Sequence, residues 1–143
     1  MNEQSAATMK SAATMKRTSD ASVALLRQAL DAFNRGDAQA AAEFIADDVE
    51  WHEIGRAEPI RGKEALAARY GAAIPGWEIT AELHDIVAND DHAIALVTAT
   101  AGMGGRSFTY RTAEIYHIRD GKIAARWAFS DDTAAINAFF AGT

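Results

Sequence analysis

The residues best suited to chemistry are two glutamates and an arginine that stand beside aromatic or apolar side chains. In the run Asp47-Asp48-Val49-Glu50-Trp51-His52-Glu53, the residues Val49, Trp51 and Glu53 share one face of an extended chain, because side chains alternate with period two. A carboxylate on a face with Trp and Val is placed to take a proton from carbon and return it elsewhere. On a later extended run Thr112, Glu114, Tyr116 and Ile118 share a face, and on the next Arg126, Ala128 and Ser130 do; Arg126 can reach Glu114 where both of these faces turn inward. Such a pair either neutralises a buried charge or orients a substrate carbonyl, hydroxyl or water. Glu53 also has two readings. It is a general base facing a pocket, or a rim residue paired with Arg56 or Arg61, the kind of surface pair that contributes about 0–1 kcal/mol.

Other chemistries are poorly supplied. The chain has no cysteine, which removes disulfides, thiolate metal sites and a cysteine nucleophile. His52, His84, His92 and His117 show neither HxH nor HExxH spacing, so no metal site is expected and no cofactor is required. His52 falls opposite Trp51 and Glu53 in parity and reads as a surface or packing residue; His84 and His92 read as solvated. Residues 1–19 carry Lys10, Lys16 and Arg17 against Glu3, so residues 20–143 hold −8 of the total −6. That acidity argues against nucleic acid or an anionic membrane as a partner. No apolar run approaches the roughly 20 residues that span a bilayer, and the start lacks an apolar secretory segment. The expectation is a cytoplasmic protein.

A chain of 143 residues, 49% apolar and 24% charged, fits one globular domain. Residues 1–19 read as a tail, disordered or partly helical, in which SAATMK is repeated twice over 5–16; the domain is expected over 20–143. Val23, Leu26, Leu30 and Phe33 mark a helix over 20–35, stopped by Gly36, and Asp37 caps a second through Ile45 with Ala41, Phe44 and Ile45 inward. The acidic pair Asp47-Asp48 then reads as a turn before the strand at Val49–Glu53. A short strand around Ile60 leads through Gly62 to a third helix ending at Tyr70, and Gly71–Gly76 breaks it. Four antiparallel strands follow, turned by Asn89-Asp90-Asp91, by Gly102–Gly105 and by Asp120-Gly121, before a last helix capped by Asp131 and Asp132. The fold class is α+β, a curved antiparallel sheet with helices on its concave face enclosing a pocket.

Four segments carry a resemblance: AFNRGD at 32–37, EFIADDVEW at 43–51, PIRGKEAL at 59–66 and YHIRDGKIAARW at 116–127. With them the chain resembles the SnoaL-like branch of the nuclear-transport-factor-2-like superfamily, which includes ketosteroid isomerases, polyketide cyclases and limonene-epoxide hydrolases. The resemblance implies a cone whose mouth receives a small apolar molecule. It sets Glu53 where isomerases carry the proton-moving aspartate. Glu114 falls where they carry an oxyanion-hole aspartate, and where cyclases carry a histidine. It also implies a lining that includes Val97, Ala99 and Ala101, of which two are very small; Trp51, Tyr70, Trp77, Thr112, Tyr116 and Ala128 complete the expected substrate-binding set. Two positions depart from the pattern. The isomerase tyrosine of the first helix falls at Ala29, and the final-strand aspartate of cyclases and hydrolases falls at Ala128.

One conflict of parity remains. Ile123, Ala125, Trp127 and Phe129 form the more apolar face of the last strand, whereas the resemblance turns Arg126, Ala128 and Ser130 into the cone. Both hold if Trp127, Phe129, Ile115 and His117 cover the outer sheet face against a second copy, so a homodimer through the sheet is expected. The function expected is acid–base proton transfer on a small apolar carbonyl or hydroxyl compound, of isomerase or cyclase type, with Glu53, Glu114 and Arg126 catalytic. The rivals are a noncatalytic binding or scaffold protein on the same fold and an epoxide hydrolase.

Overall fold

A computed structural model describes residues 20–71 and 77–141, so the SAATMK repeat and most of the expected break at Gly71–Gly76 lie outside the described residues. Helix α1 spans 20–34, α2 Ala38–Glu43, β1 Ile45–Trp51, β2 Ile60–Arg61 and α3 Lys63–Tyr70. Then come β3 Trp77–Ala88, β4 His92–Met103, β5 Arg106–Arg119, β6 Lys122–Ser130 and α4 Thr133–Ala141. The fold is α+β, with a curved, open six-stranded sheet in the order β2-β1-β6-β5-β4-β3. Its pairs are antiparallel except for one. β1 runs parallel to β6, a pairing that needs a long connection rather than a tight turn, and β2 to β5 lie between them in the chain.

The turns follow their chemistry. Asp120 and Gly121 adopt φ of 52° and 70°, the backbone of a two-residue hairpin loop that joins β5 to β6 with the right twist. The Asn89 side chain accepts from the backbone N–H of Asp91 (3.0 Å) and His92 (2.8 Å) and closes the β3–β4 connection. Asp37 caps α2 by accepting from the Ala40 N–H at 3.0 Å. The sheet in turn holds α1 at both ends. Ser22 Oγ donates to the Asn89 carbonyl (3.1 Å), and the Asn34 amide exchanges two bonds with the backbone of Ala81 (2.8 and 3.0 Å) on edge strand β3. Asn34 thereby occupies backbone groups that an exposed edge would otherwise present.

Several expected boundaries shift, each by a local cause. The second helix ends at Glu43, and Ile45 opens β1. Asp47 and Asp48 are not a turn; they lie within β1, where the register against β6 slips between Ile45 and Glu50 and leaves both carboxylates exposed. β1 ends at Trp51, so Glu53 belongs to the turn beyond it rather than to a strand face. A second irregularity, between His117 and Ile118, reverses the parity of β6 below Ala125. Ile123 is consequently buried in the core instead of joining Trp127 and Phe129 on the outer face. Of the two expected caps of α4, only Asp132 accepts from the helix, at Ala135 (2.9 Å); Asp131 accepts from Arg111 N–H on β5.

Two hydrophobic clusters lie along the inner face of β4. Ala93, Ala95 and Val97 pack with Leu26 of α1, Tyr116 and Ile123, whereas Ala99 and Ala101 pack with Tyr110 and Ile136 of α4. From Ala93 to Ala101 the inward positions of this strand are alanine except for Val97, which leaves the concavity beside them unfilled; Met103 is inward at the strand's end. The void that remains is where the charged residues gather.

Candidate functional site

The concavity is divided into two chambers. An inner one of about 150 Å³ is walled by α1, β3, β4 and β5 and reaches Glu114. An outer one of about 570 Å³ opens between the turn after β1, the end of α3 and α4. Ile54, Ile79, Tyr110 and Arg126 line both and form the constriction between them.

In the inner chamber Glu114 stands on β5 opposite Ala128, and Arg126 stands on β6 opposite Tyr116, so the two charged side chains meet on the diagonal of one face. Arg126 Nη2 donates to Glu114 Oε1 at 2.8 Å, with both side chains nearly buried, 12% and 13% exposed. The Thr112 hydroxyl donates to the same oxygen (3.3 Å), and the Tyr116 hydroxyl donates to the other. Arg126 Nη1 donates to the His52 carbonyl (3.1 Å), and its guanidinium lies 4.8 Å from the centre of the Trp51 ring. Burial works against the Arg126 charge, but Glu114 first, then Tyr116 and Tyr70, more than offset it and hold its pKa above the ordinary arginine value. Burial, followed by the Glu114 charge, pushes the Tyr116 phenol well up, and Tyr110 is raised by the same two causes.

The outer chamber repeats the arrangement with different parts. Arg69, in the last turn of α3, donates to both oxygens of Glu53, Nε to Oε1 and Nη2 to Oε2, each at 3.2 Å. The hydroxyl of Tyr70 donates to Glu53 Oε2 at 3.1 Å. Tyr70 as a whole is 38% exposed, yet desolvation around its hydroxyl, followed by the Glu53 charge, holds the phenol above its ordinary pKa. The partner of Glu53 is thus neither of the two arginines expected for a rim residue. Arg61 bonds Glu50 instead (2.8 Å), and Arg56 makes no ion pair among the described residues. The turn that carries Glu53 and Arg56 depends on Gly55, whose φ is 73°. A Cβ there would meet Asn137 Oδ1 of α4 at 2.5 Å.

Trp51 joins the two sets. Tyr70 and Tyr116 both approach it edge-on, with ring centroids at 6.5 Å. Of the residues expected to contact substrate, Trp51, Val97, Ala99, Thr112 and Tyr116 line the inner chamber, and Tyr70 and Trp77 the outer one. Ala128 lines neither; it is the cross-strand partner of Glu114. Arg69 carries a weak signal in the sequence, because a single arginine on a short helix is ordinarily solvated; its position directly before Tyr70 at the end of α3 is the clue it offers. Among the described residues no group of three His, Cys, Asp or Glu could hold a metal ion, and no helix is long and apolar enough to cross a membrane.

His52 points away from the chambers. It shares a hydrogen bond with Glu50 (2.7 Å) and stacks on Trp127 at 4.9 Å. That hydrogen bond first, and Arg61 after it, keep the Glu50 carboxyl below its ordinary pKa.

A curved, open six-stranded sheet with helices against it defines an α+β fold class, and the comparisons agree on that fold. The chain belongs to the SnoaL-like domain family, whose sequence profile matches residues 26–126. No curated protein sequence matches it. Among solved structures it is similar to Bal32a from a soil-derived mobile gene cassette, with 23% identity and a TM-score of 0.78 over 85% of this chain and 98% of that one. It is also similar to an LEH-like epoxide hydrolase of M. tuberculosis, with 16% identity and a TM-score of 0.75 over 87% of this chain and 92% of that one. A third is the Delta 5-3-ketosteroid isomerase of Mycobacterium sp., with 22% identity and a TM-score of 0.65 over 75% of this chain and 90% of that one. At such identities the likeness establishes the fold and leaves the reaction to the residues of the site.

Proposed function

We propose that the protein is a cofactor-independent enzyme that moves a proton on a small apolar carbonyl or hydroxyl compound, in an isomerisation or cyclisation. Glu53 is the general base. The observation that carries the reading is its placement: a carboxylate at the wall of the outer chamber, oriented by Arg69 and Tyr70 and reached by a molecule lying against Trp77 and Tyr110. Arg126 at the constriction supplies a fixed positive charge for a developing oxyanion, and Glu114 holds that charge in place. The isomerase among the structural relatives supports proton transfer as a reaction this fold performs. Hydrolysis of an epoxide is the weaker option, because Ala128 leaves no second carboxylate opposite Glu114 to activate water.

Thermal-shift screening of apolar ketones and alcohols, followed by turnover assays on the hits, tests the reading. Glu53→Gln keeps the shape and one of the two acceptor oxygens, removes the basic carboxylate, and is expected to lower kcat by about 10²–10⁴-fold while ligand still binds. Bound ligand with unchanged turnover in that variant removes Glu53 as the base. A second reading, a noncatalytic binding protein, has one observation in its favour: Arg69 occupies both oxygens of Glu53. Ligands that bind and are never turned over select it.

The outer face of the sheet supports a homodimer. Ile94, Ile115 and Trp127 form one cross-strand row and Leu96, Ala113 and Phe129 the next, with Ile94 39%, Leu96 44% and Phe129 59% exposed. A contiguous apolar patch of this kind on a sheet is an association surface. Light scattering is expected to give a dimer for the wild type and a monomer for Phe129→Glu; a monomeric wild type overturns the assignment.

A further inference from the structure

The charges of the two chambers run against those of the chain. The protein carries 20 acidic and 14 basic residues, yet the chamber walls hold three arginines, Arg56, Arg69 and Arg126, and only two carboxylates, Glu53 and Glu114. Both carboxylates are already engaged, Glu53 by Arg69 and Tyr70, Glu114 by Arg126, Thr112 and Tyr116. The cations are not used up in return. Arg69 spends Nε and Nη2 on Glu53, which leaves its Nη1 edge, and Arg56 makes no ion pair among the described residues. Glu58 shares the outer rim with Arg56 and Arg69 but is bonded to neither. The buried side-chain polar atoms that lack a partner among the described residues tell the same way. They are Trp51 Nε1, Trp77 Nε1 and Arg126 Nε, all N–H donors, all on residues that line the chambers.

With Glu58 counted the formal charges balance, so the selection for an acceptor-rich anion rests on the unpartnered donors and on Arg56, which makes no ion pair among the described residues. We propose that the mouth of the outer chamber is a carboxylate-binding subsite. Arg56 and the Nη1 edge of Arg69 hold the carboxylate of an amphiphilic ligand whose apolar body extends along Ile54, Ile79 and Phe140 toward Arg126. The proposal rests on the outer chamber as the ligand site of the reading above and gives that ligand a class, an apolar body ending in a carboxylate. Arginine suits the task better than lysine, since its planar fork can serve Glu53 on one edge and a ligand on another.

The experiment compares naphthylacetate with naphthylethanol, probes of one apolar body that differ in charge, by titration calorimetry at low salt. The wild type is expected to bind the carboxylate about tenfold more tightly, with the preference shrinking as salt is raised. Arg56→Met, a change in an exposed turn, is expected to bring the two affinities within about twofold, and Arg56→Lys to keep part of the preference because the charge remains. Equal affinities in the wild type, no binding of the carboxylate, or a preference unchanged in Arg56→Met each overturns the subsite. Binding is read as heat, so a failure of Glu53 as general base leaves this result standing and is told apart from it.

Discussion

Glu53 and Glu114 each accept from one tyrosine hydroxyl and one arginine guanidinium, yet the first set is assembled from a turn and a helix end and the second from two adjacent strands. The inner pair is nearly dry, with Arg126 and Glu114 12% and 13% exposed; the outer pair is wetter, with Arg69 and Glu53 36% and 21% exposed. Strand register places the inner groups on neighbouring positions of one face, and Thr112 and Trp51 close around them. The outer groups depend on the turn at Gly55 and on where α3 stops. The difference separates a framework from a working surface. Buried charges are held by geometry that a ligand cannot displace, while half-exposed ones can exchange partners. The two are also wired together. Arg126 donates to the His52 carbonyl, and its own carbonyl accepts from His52 N–H (2.9 Å), so the inner arginine fixes the backbone immediately before Glu53.

The largest effect is therefore expected at Arg126. Arg126→Met leaves Glu114 buried without its cation, which costs about 3–5 kcal/mol, read as a fall in the urea midpoint at constant slope. Removing both charges in Arg126→Met with Glu114→Leu is expected to recover most of that stability, because two desolvated charges are replaced by apolar groups of similar volume. Turnover is not expected to return in the double variant, since the anchor at the His52 carbonyl and the charge at the constriction are still gone. A double variant that regains activity would reduce the inner set to packing.

How much of this was legible in the sequence follows the same division. The inner set lies on strands joined by the well-marked Asp120-Gly121 hairpin, yet the hairpin register by itself sets Glu114 opposite Trp127; the slip between His117 and Ile118 turns Arg126 to the face of Glu114, and only the family resemblance pointed to that face. The α+β order was readable, since turns and periodicity are local signals. The outer set was only half readable. Glu53 was found by its neighbour Trp51, but its partners are close in space through the path of the chain between Ile54 and Lys63, which no period encodes. Two expectations fail where a strand slips: Asp47-Asp48 lies within β1 and is no turn, and Ile123 faces the core and not the outer side. One extra residue in a ladder reverses every side chain beyond it.

A smaller effect, and the sharper test of the contrast, is expected at Arg69. Its pair with Glu53 is bidentate but more than a third exposed on the arginine side, so solvent screens most of its attraction. Arg69→Met is expected to change stability by less than about 1 kcal/mol in the same urea experiment. Orientation is another matter. Without the fork that grips both oxygens, Glu53 is tied only by Tyr70, and a base that wanders loses near-attack geometry. The expected outcome is a fall in kcat of at least about tenfold at saturating substrate, with Arg69→Lys recovering only part, because an ammonium restores the charge without the two-point grip. If Arg69→Met instead destabilises the protein as much as Arg126→Met does, the outer set is a second piece of framework, and the division between the two glutamates fails.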